Sequence, residues 1–183
     1  MLSLKEKVVA ITGIGSPDDP KGNGRAIAEL FAFLSSTGTN AFDYLDSIYR
    51  KYGYHKERTE NIFFEGAEGS STISQLASSY RDNPLSKVAD IDVSQTKDFL
   101  SSGFIDEDED PLPQENFIKL ILDNGFSIAI RPSGTEPKIK YYLFGCGEPM
   151  VSDLEVSKQT IDTEVERIAS WLMEDAHKRV KGT

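Results

Sequence analysis

The sequence predicts an α+β fold, in which a four-stranded, mostly antiparallel sheet is covered on one face by two helices. Two observations lead to this prediction. Strand-like and helix-like segments follow one another as strands, helix, strands, helix, and such an order is typical of helices packed on one side of an antiparallel sheet. The run Asp123-Asn124-Gly125 lies between two apolar runs and is typical of a hairpin turn. A short β-loop-α segment is expected to precede this fold.

The first part of the chain predicts a strand, a loop and two helices. Val8–Ile11 is a short apolar run typical of a strand, and residues 13–24 are rich in Gly, Pro and Asp, as loops are. Apolar residues then recur at helical spacing over residues 25–34. A second helix is predicted to begin after Asn40, whose side chain can cap it, and to end at Gly53.

The middle of the chain predicts a strand, a helix, an extended segment and an exposed loop. Residues 61–64, Asn-Ile-Phe-Phe, are strand-like, and residues 70–80 carry apolar side chains at helical spacing. An extended segment is predicted over residues 88–99. Five consecutive acidic residues, 106–110, are followed by two prolines; they could bind a cation, but the pattern favours a solvated loop.

The last part of the chain has the clearest pattern. Strands are predicted over residues 117–122, 126–130 and 139–144, and a long helix over residues 154–180. In the third of these strands, side chains should alternate between two faces of the sheet. One face should carry Ile139, Tyr141 and Leu143, and the other Lys138, Lys140 and Tyr142.

Composition and charge limit the partners that the chain can have. Its net charge of −10 makes it a poor partner for nucleic acid and for anionic membrane surfaces. The sequence contains no run near the roughly 20 apolar residues of a membrane span and no secretory pattern at its start. Its single cysteine, Cys146, excludes an internal disulfide and fits a reducing cytoplasm, where we expect the protein to be.

The segment Arg131–Lys138 offers every kind of donor that binds a phosphate dianion. Arg131 has a planar guanidinium that can hold two oxygens, and Lys138 adds a second charge. Ser133 and Thr135 supply hydroxyl groups, and Gly134 allows the backbone N–H groups to approach an anion closely. The intervening Glu136 should turn away and pair with a nearby lysine or cap a backbone N–H. The segment therefore predicts a phosphate-binding loop between two strands.

This segment resembles the C-terminal signature of the α-D-phosphohexomutases, the phosphoglucomutase and phosphomannomutase family. Residues 139–144, 52–55 and 64–69 fit the same resemblance, which covers roughly residues 33–183. It implies that residues 56–183 form the phosphate-binding C-terminal domain. It also implies that the non-reacting phosphate of a hexose phosphate, such as glucose 1-phosphate, glucose 6-phosphate or the mannose equivalents, is held by Arg131, Ser133, Gly134, Thr135 and Lys138.

The resemblance also shows which family motifs this sequence does not contain. Members of the family carry a phosphoserine, an Asp-rich loop for Mg²⁺ and a sugar-recognition loop in three further domains. None of these motifs occurs in the 183 residues. We therefore expect no catalytic residue, cofactor or metal ligand in this chain, and no turnover by this chain alone, although the family as a whole is an isomerase family that uses Mg²⁺.

Residues 1–32 resemble instead the start of a short-chain dehydrogenase, with glycines after a first strand where a dinucleotide would bind. Tyr52 and Lys56 have the spacing of that family's catalytic pair, but they lie too close to the glycine loop, and we interpret them as coincidence. Residues 1–55 are accordingly predicted to be a chimeric join or a diverged remnant of the sugar-binding domain. Two alternative functions stay open: an NAD(P)-binding dehydrogenase fragment, and a non-catalytic phosphosugar-binding module.

Overall fold

The structure is a computed structural model that describes residues 22–64, 66, 68–101, 103–105 and 109–182. The chain divides into two compact units, Met1–Tyr52 and Gly53–Thr183. The division does not test the predicted assignment of residues 1–55 and 56–183 to domains, which stays a prediction. The predicted strand at Val8–Ile11, most of the glycine-rich loop and part of the acidic run lie outside the described residues.

In its described part, residues 22–52, the first unit contains two helices, α1 (Gly22–Ser36) and α2 (Ala41–Tyr52). Both were expected from the helical spacing of apolar residues. The predicted cap of α2 is confirmed, because the Asp43 backbone N–H donates to the Asn40 Oδ1 at 2.9 Å. This bond satisfies one of the N–H groups that a helix start leaves without an intrahelical acceptor.

The second unit is built on one antiparallel sheet and two helices. Its strands are β1 (His55–Phe63), β2 (Lys87–Val88), β3 (Ile91–Asp98), β4 (Ile118–Leu122), β5 (Ser127–Pro132) and β6 (Lys138–Cys146). Its helices are α3 (Gly69–Asp82) and α4 (Leu154–Lys181). The strand order across the sheet is β1-β6-β5-β4-β3-β2, and each described pair of neighbours is antiparallel.

The α+β class is confirmed, but the predicted count of four strands is wrong, since the sheet has six. Strand β2 has only two residues, too few to show any alternation in the sequence. Strand β1 begins at His55, six residues before the segment 61–64 that predicted it, and its first seven residues are polar. A half-exposed strand at the edge of a sheet does not need apolar residues, so sequence pattern does not reveal its length.

The hairpin predicted at Asp123–Gly125 is confirmed. Gly125 has a φ of +83°, which side-chain-bearing residues rarely adopt, and its N–H donates to the Leu122 carbonyl at 3.0 Å. The turn joins β4 to β5 in register, with Ile118 opposite Ile130 and Leu120 opposite Ile128. The three central strands therefore follow one another in the sheet as they do in the chain.

One face of the sheet is buried and the other is open. Along β4 and β6 the buried side chains alternate with half-buried or exposed ones, and for β6 the sequence predicted this alternation. Helices α3 and α4 contact the buried face. Its central residues are Ile118, Leu120, Leu122, Ile128, Ile130, Ile139, Tyr141 and Leu143, packed with Leu76, Ala77, Tyr80, Val165, Ile168 and Leu172 of the helices. We call the opposite side, which carries Lys119, Arg131, Lys140 and Tyr142, the open sheet face.

Helix α4 is fixed at its start by Asp153. The Asp153 carboxylate accepts hydrogen bonds from the backbone N–H groups of Glu155 and Val156, at 3.0 and 3.1 Å. The basic residues Lys178, Arg179 and Lys181 lie in the last turn, where they complement the negative end of the helix. No helix in the described part of the chain combines the length and the apolar character needed to cross a membrane.

Candidate functional site

The predicted phosphate loop is the connection between β5 and β6. Strand β5 ends at Pro132 and β6 begins at Lys138, so residues 133–137 form the turn of an antiparallel hairpin. Arg131 lies directly opposite Lys140, and Pro132 opposite Ile139. The Ser133 N–H donates to the Lys138 carbonyl at 2.9 Å. Both ends of the loop are therefore held by sheet hydrogen bonds, as the sequence predicted.

Further hydrogen bonds brace the loop from within and from the side. The Lys138 N–H donates to the Glu136 carbonyl at 2.7 Å, and the Glu136 N–H donates to the Ser133 hydroxyl oxygen at 3.3 Å. Next to the end of β1, the Phe64 N–H donates to the Pro137 carbonyl at 2.9 Å. A loop held in this way loses little conformational entropy when it binds a ligand.

The tip of this loop has backbone donors to offer. Gly134 and Thr135 are exposed, and their backbone N–H groups have no acceptor among the described residues. A Cβ built on Gly134 would meet no atom within 4 Å, and Gly134 does not have a positive φ. The fold itself therefore does not require glycine at this position, and the lack of a side chain leaves room for an approaching group.

The two cations of the loop differ in how they are engaged. The Arg131 side chain is 54% exposed, and its nearest described carboxylate is Glu115, with 3.8 Å between Nη2 and Oε2. The Lys138 side chain is only 14% exposed, and its Nζ lies 2.5 Å from the Glu136 Oε2 and 5.3 Å from the centre of the Phe63 ring. Arg131 is therefore open to a ligand, whereas Lys138 is already bonded within the loop.

Glu136 behaves as the sequence predicted, since it pairs with a nearby lysine. The hydrogen bond from Lys138 lowers the pKa of the Glu136 carboxyl, and the nearby charge of Lys140 acts in the same direction. The carboxyl group stays ionised as a result and neutralises one of the two loop cations. Glu136 therefore reduces the charge available to an anion, and Arg131 has to supply most of it.

The sequence analysis predicted correctly which face of the sheet carries Lys140, but it did not assign Lys140 to the phosphate site. It lies directly opposite Arg131 in β6, so the two side chains share the open sheet face. The alternation of β6 was the signal, because Lys138 and Lys140 were both expected on that face. Glu115 gave no signal, because its distance from Arg131 follows from the folding back of the chain before β4.

The residues present do not fit a magnesium site. In the part of the chain that the structure describes, no group of three or more His, Cys, Asp or Glu side chains is arranged to hold a metal ion. No step of the function proposed below is therefore assigned to a metal held by these residues. The dehydrogenase-like segment lies largely outside the described residues, and its resemblance stays a prediction.

Comparison with known sequences relates this chain to the phosphohexomutases, and the resemblance to the C-terminal part of that family is confirmed. The relatives that match this chain in sequence are named phosphoglucomutases. That of Staphylococcus aureus strain bovine RF122 / ET3-1 is 36% identical over 115 residues, and that of strain MSSA476 is 35% identical over the same length. Each match covers 60% of this chain and 21% of the relative. The chain thus spans about one fifth of the length of these relatives.

Two further comparisons complete these findings. No protein-family model matches the chain. Among solved structures, the exocytosis-sensitive phosphoprotein pp63/parafusin, a phosphoglucomutase from Paramecium in its open form, aligns with a TM-score of 0.43 and 14% identity. That alignment covers 80% of this chain and 27% of the Paramecium protein.

Proposed function

We propose that this chain supplies the phosphate-binding C-terminal domain of a phosphohexomutase, which holds the non-reacting phosphate of a hexose phosphate. The proposal rests mainly on one observation. The β5–β6 hairpin carries the exposed Arg131 guanidinium, and the N–H groups of Gly134 and Thr135 on its braced loop have no acceptor among the described residues. The relationship to phosphoglucomutases supports a phosphorylated hexose as the ligand.

Each part of the loop has a distinct task in this proposal. Arg131 binds two phosphate oxygens through its planar fork of donors. The backbone of Gly134 and Thr135, together with the Thr135 hydroxyl, donates to the remaining oxygens. Ser133 accepts a bond from Glu136 through its hydroxyl oxygen, so its hydroxyl hydrogen stays free to donate to the phosphate. Lys138 adds a more distant positive charge.

Such a grip contributes to catalysis without taking part in the chemistry. Binding energy from the phosphate that does not react holds the sugar in one orientation, so that the other end of the sugar meets the reacting groups in line. This chain provides the grip, and the transferred phosphoryl group is handled by groups outside it. We accordingly propose that the chain alone does not turn over glucose 1-phosphate, and that it acts in the cytoplasm.

The first prediction tests the grip directly. Titration of the ¹⁵N-labelled protein with glucose 6-phosphate should shift the amide signals of Gly134 and Thr135, because a bound phosphate accepts hydrogen bonds from those groups. Arg131→Ala should abolish the shifts, and Arg131→Lys should leave them weaker, since lysine keeps the charge but not the fork. The measurement is a two-dimensional ¹⁵N–¹H spectrum at each ligand concentration.

A control variant separates local binding from general charge effects. Lys178→Ala removes an exposed lysine in the last turn of α4 and should leave the titration unchanged. Unaltered shifts of Gly134 and Thr135 in Arg131→Ala would contradict the proposed site. A separate assay with glucose 1-phosphate should show no turnover, and sustained turnover would contradict the proposed division of labour.

A further inference from the structure

Four basic side chains of the open sheet face form two like-charged pairs. Lys97 of β3 lies directly opposite Lys119 of β4, and Arg131 of β5 lies directly opposite Lys140 of β6. Side chains that face each other across antiparallel strands have Cβ atoms only about 5 Å apart. Two like charges at that distance repel each other and destabilise the sheet. These two pairs therefore lower the stability of the folded chain.

The other described residues offset only part of this positive charge, through Glu136, whose carboxylate interacts with Lys140, and Glu57, which lies opposite Phe144 in β1. Among the described residues, no carboxylate forms an ion pair with Lys97, Lys119 or Lys140, and Arg131 has only the loose contact with Glu115. Strands β4, β5 and β6 contain none of the 30 acidic residues of the chain. A chain with a net charge of −10 therefore exposes one face that is locally basic.

At the centre of this face lies a short side chain, with longer side chains on both sides of it. Ala129 lies directly opposite Lys119 on one side and Tyr142 on the other. Its single methyl group is much shorter than the side chains of these two neighbours. From Lys97 to Lys140 the basic residues span four strands, which is about 14 Å at the usual spacing of neighbouring strands. This span exceeds the size of one phosphate group and suits an extended ligand.

We propose that the open sheet face docks an acidic polypeptide segment of a partner protein. The segment lies across β3 to β6 above Ala129, with its carboxylates on Lys97, Lys119 and Lys140. Charge complementarity argues for an acidic ligand. The tyrosine and the half-buried or exposed apolar side chains on this face, Tyr142, Ile121 and Phe144, suit a polypeptide, because such residues are common at protein interfaces.

A nucleic acid fits these observations less well. Double-stranded DNA carries one charge per roughly 1.7 Å, and most of its affinity for proteins comes from the neutralisation of many phosphates. The overall charge of −10 repels such a ligand, and the basic face is too small to compensate. The docking surface borders the proposed grip at Arg131 and Lys140, and its test therefore uses Lys97 and Lys119, which lie on β3 and β4, away from the β5–β6 loop.

The test uses a fluorescein-labelled glutamate oligopeptide as the probe and the full chain as the receptor. Fluorescence anisotropy should show saturable binding that weakens as the salt concentration rises. The double variant Lys97→Gln/Lys119→Gln should bind the peptide at least about tenfold more weakly, the loss expected for two interfacial charges. The matched control Lys178→Gln/Lys181→Gln removes two lysines from the last turn of α4 and should bind as the parent does.

A stability measurement distinguishes a binding face from a merely structural one. Lys119→Glu places a negative charge opposite Lys97, so it should raise the melting temperature of the free protein while it abolishes peptide binding. Ser133→Ala/Thr135→Ala alters the phosphate loop and should leave peptide binding unchanged. Circular dichroism of each variant confirms that it is folded.

Three outcomes would overturn the docking surface. The first is an equal loss of peptide binding in the α4 control, which would indicate non-specific attraction. The second is tighter binding of a single-stranded oligonucleotide than of the peptide at the same salt concentration. The third is a lowered melting temperature in Lys119→Glu, which would show that the lysines are structural.

Discussion

Arg131 and Lys138 illustrate how the same charge can have different uses at two positions of one loop. Lys138 is mostly buried, pairs with Glu136 and lies over the Phe63 ring, so its ammonium group already interacts with other residues of the fold. Arg131 is more than half exposed and has only a distant carboxylate nearby. The residue type alone would have ranked the two equally, and only their surroundings separate them.

Tyr80 and Tyr141 are the two described residues whose pKa values are shifted most strongly. Their hydroxyl oxygens lie 3.2 Å apart in the core, where α3 packs on β6. Burial raises the pKa of both phenols, and the neighbouring tyrosine raises that of Tyr80 further. Ionisation of either group in the folded state would place a charge in an apolar environment.

Because the pKa values of both tyrosines are raised in the folded state, we expect the protein to lose stability at alkaline pH. The unfolded chain releases the two protons near pH 10, whereas the folded chain keeps them, so the stabilisation is complete below about pH 10 and declines above it. The double variant Tyr80→Phe/Tyr141→Phe should lose less stability than the parent between about pH 9 and about pH 11. The measurement is the urea midpoint at each pH.

A control for the alkaline effect is Tyr52→Phe, since the Tyr52 side chain is 58% exposed. That variant should follow the parent curve. The prediction is contradicted if the double variant and the parent lose stability in parallel. The double replacement removes both hydroxyl partners together and so leaves no buried donor without an acceptor.

Among the elements, the hairpin β5–β6 was predicted from local sequence, although its strands extend further than predicted, to Pro132 and Cys146. Its strands alternate strictly, its loop carries prolines at both ends, and each strand has one buried face, so local sequence determines the geometry. The β4–β5 turn was equally clear, because Asp123-Asn124-Gly125 is a turn signal in itself. The phosphate loop and its donors followed from these two connections.

Other elements could not be predicted because long-range pairing determines them. The nine residues of β1 extend as a strand because β6 lies beside them, with Arg58 opposite Leu143 and Glu60 opposite Tyr141. The two residues of β2 are in a strand only because they pair with the start of β3. The contact of Glu115 with Arg131 and the like-charged pairs of the open sheet face also depend on register, which sequence patterns do not report.

The element boundary before β1 depends on Gly53. Its φ is +93°, and a Cβ at this position would lie 2.1 Å from the Gly147 carbonyl oxygen. Gly53→Ala should therefore lower the free energy of unfolding by at least about 2 kcal/mol, from backbone strain and the clash together. Chemical denaturation followed by circular dichroism measures the difference.

Gly125 is the matched comparison for Gly53. It also has a positive φ, +83°, but a Cβ there would meet no atom within 4 Å. Gly125→Ala should therefore cost only about 1 kcal/mol, the strain without the clash. Equal losses for the two alanine variants would show that the approach of Gly147 to Gly53 is not important for stability.

At the scale of the whole molecule, the second unit contains its own core. All residues of the main hydrophobic cluster belong to Gly53–Thr183, from Ile62 in β1 to Ala176 in α4. The phosphate loop and the open sheet face lie in the same unit. A unit with its own core can fold without the rest of the chain.

The prediction is that residues 53–183 alone fold cooperatively and bind glucose 6-phosphate as the full chain does. Thermal unfolding followed by circular dichroism should give one transition, and the amide signals of Gly134 and Thr135 should shift in the same way on titration. Failure to fold, or loss of the shifts in a folded protein, would contradict it. A fragment that ends before Asp153 is a suitable negative control, because it lacks α4 and the core residues on it.

The charged character of β1 has a consequence for how the sheet ends. One side of β1 pairs with β6, and among the described residues no strand pairs with its other side, which is nine residues long and of the kind on which a further strand could be added. Lys56, Glu57, Arg58 and Glu60 line that edge, and a strand added there would have to dehydrate them. The same polar residues that concealed β1 in the sequence therefore disfavour the addition of another strand beside it.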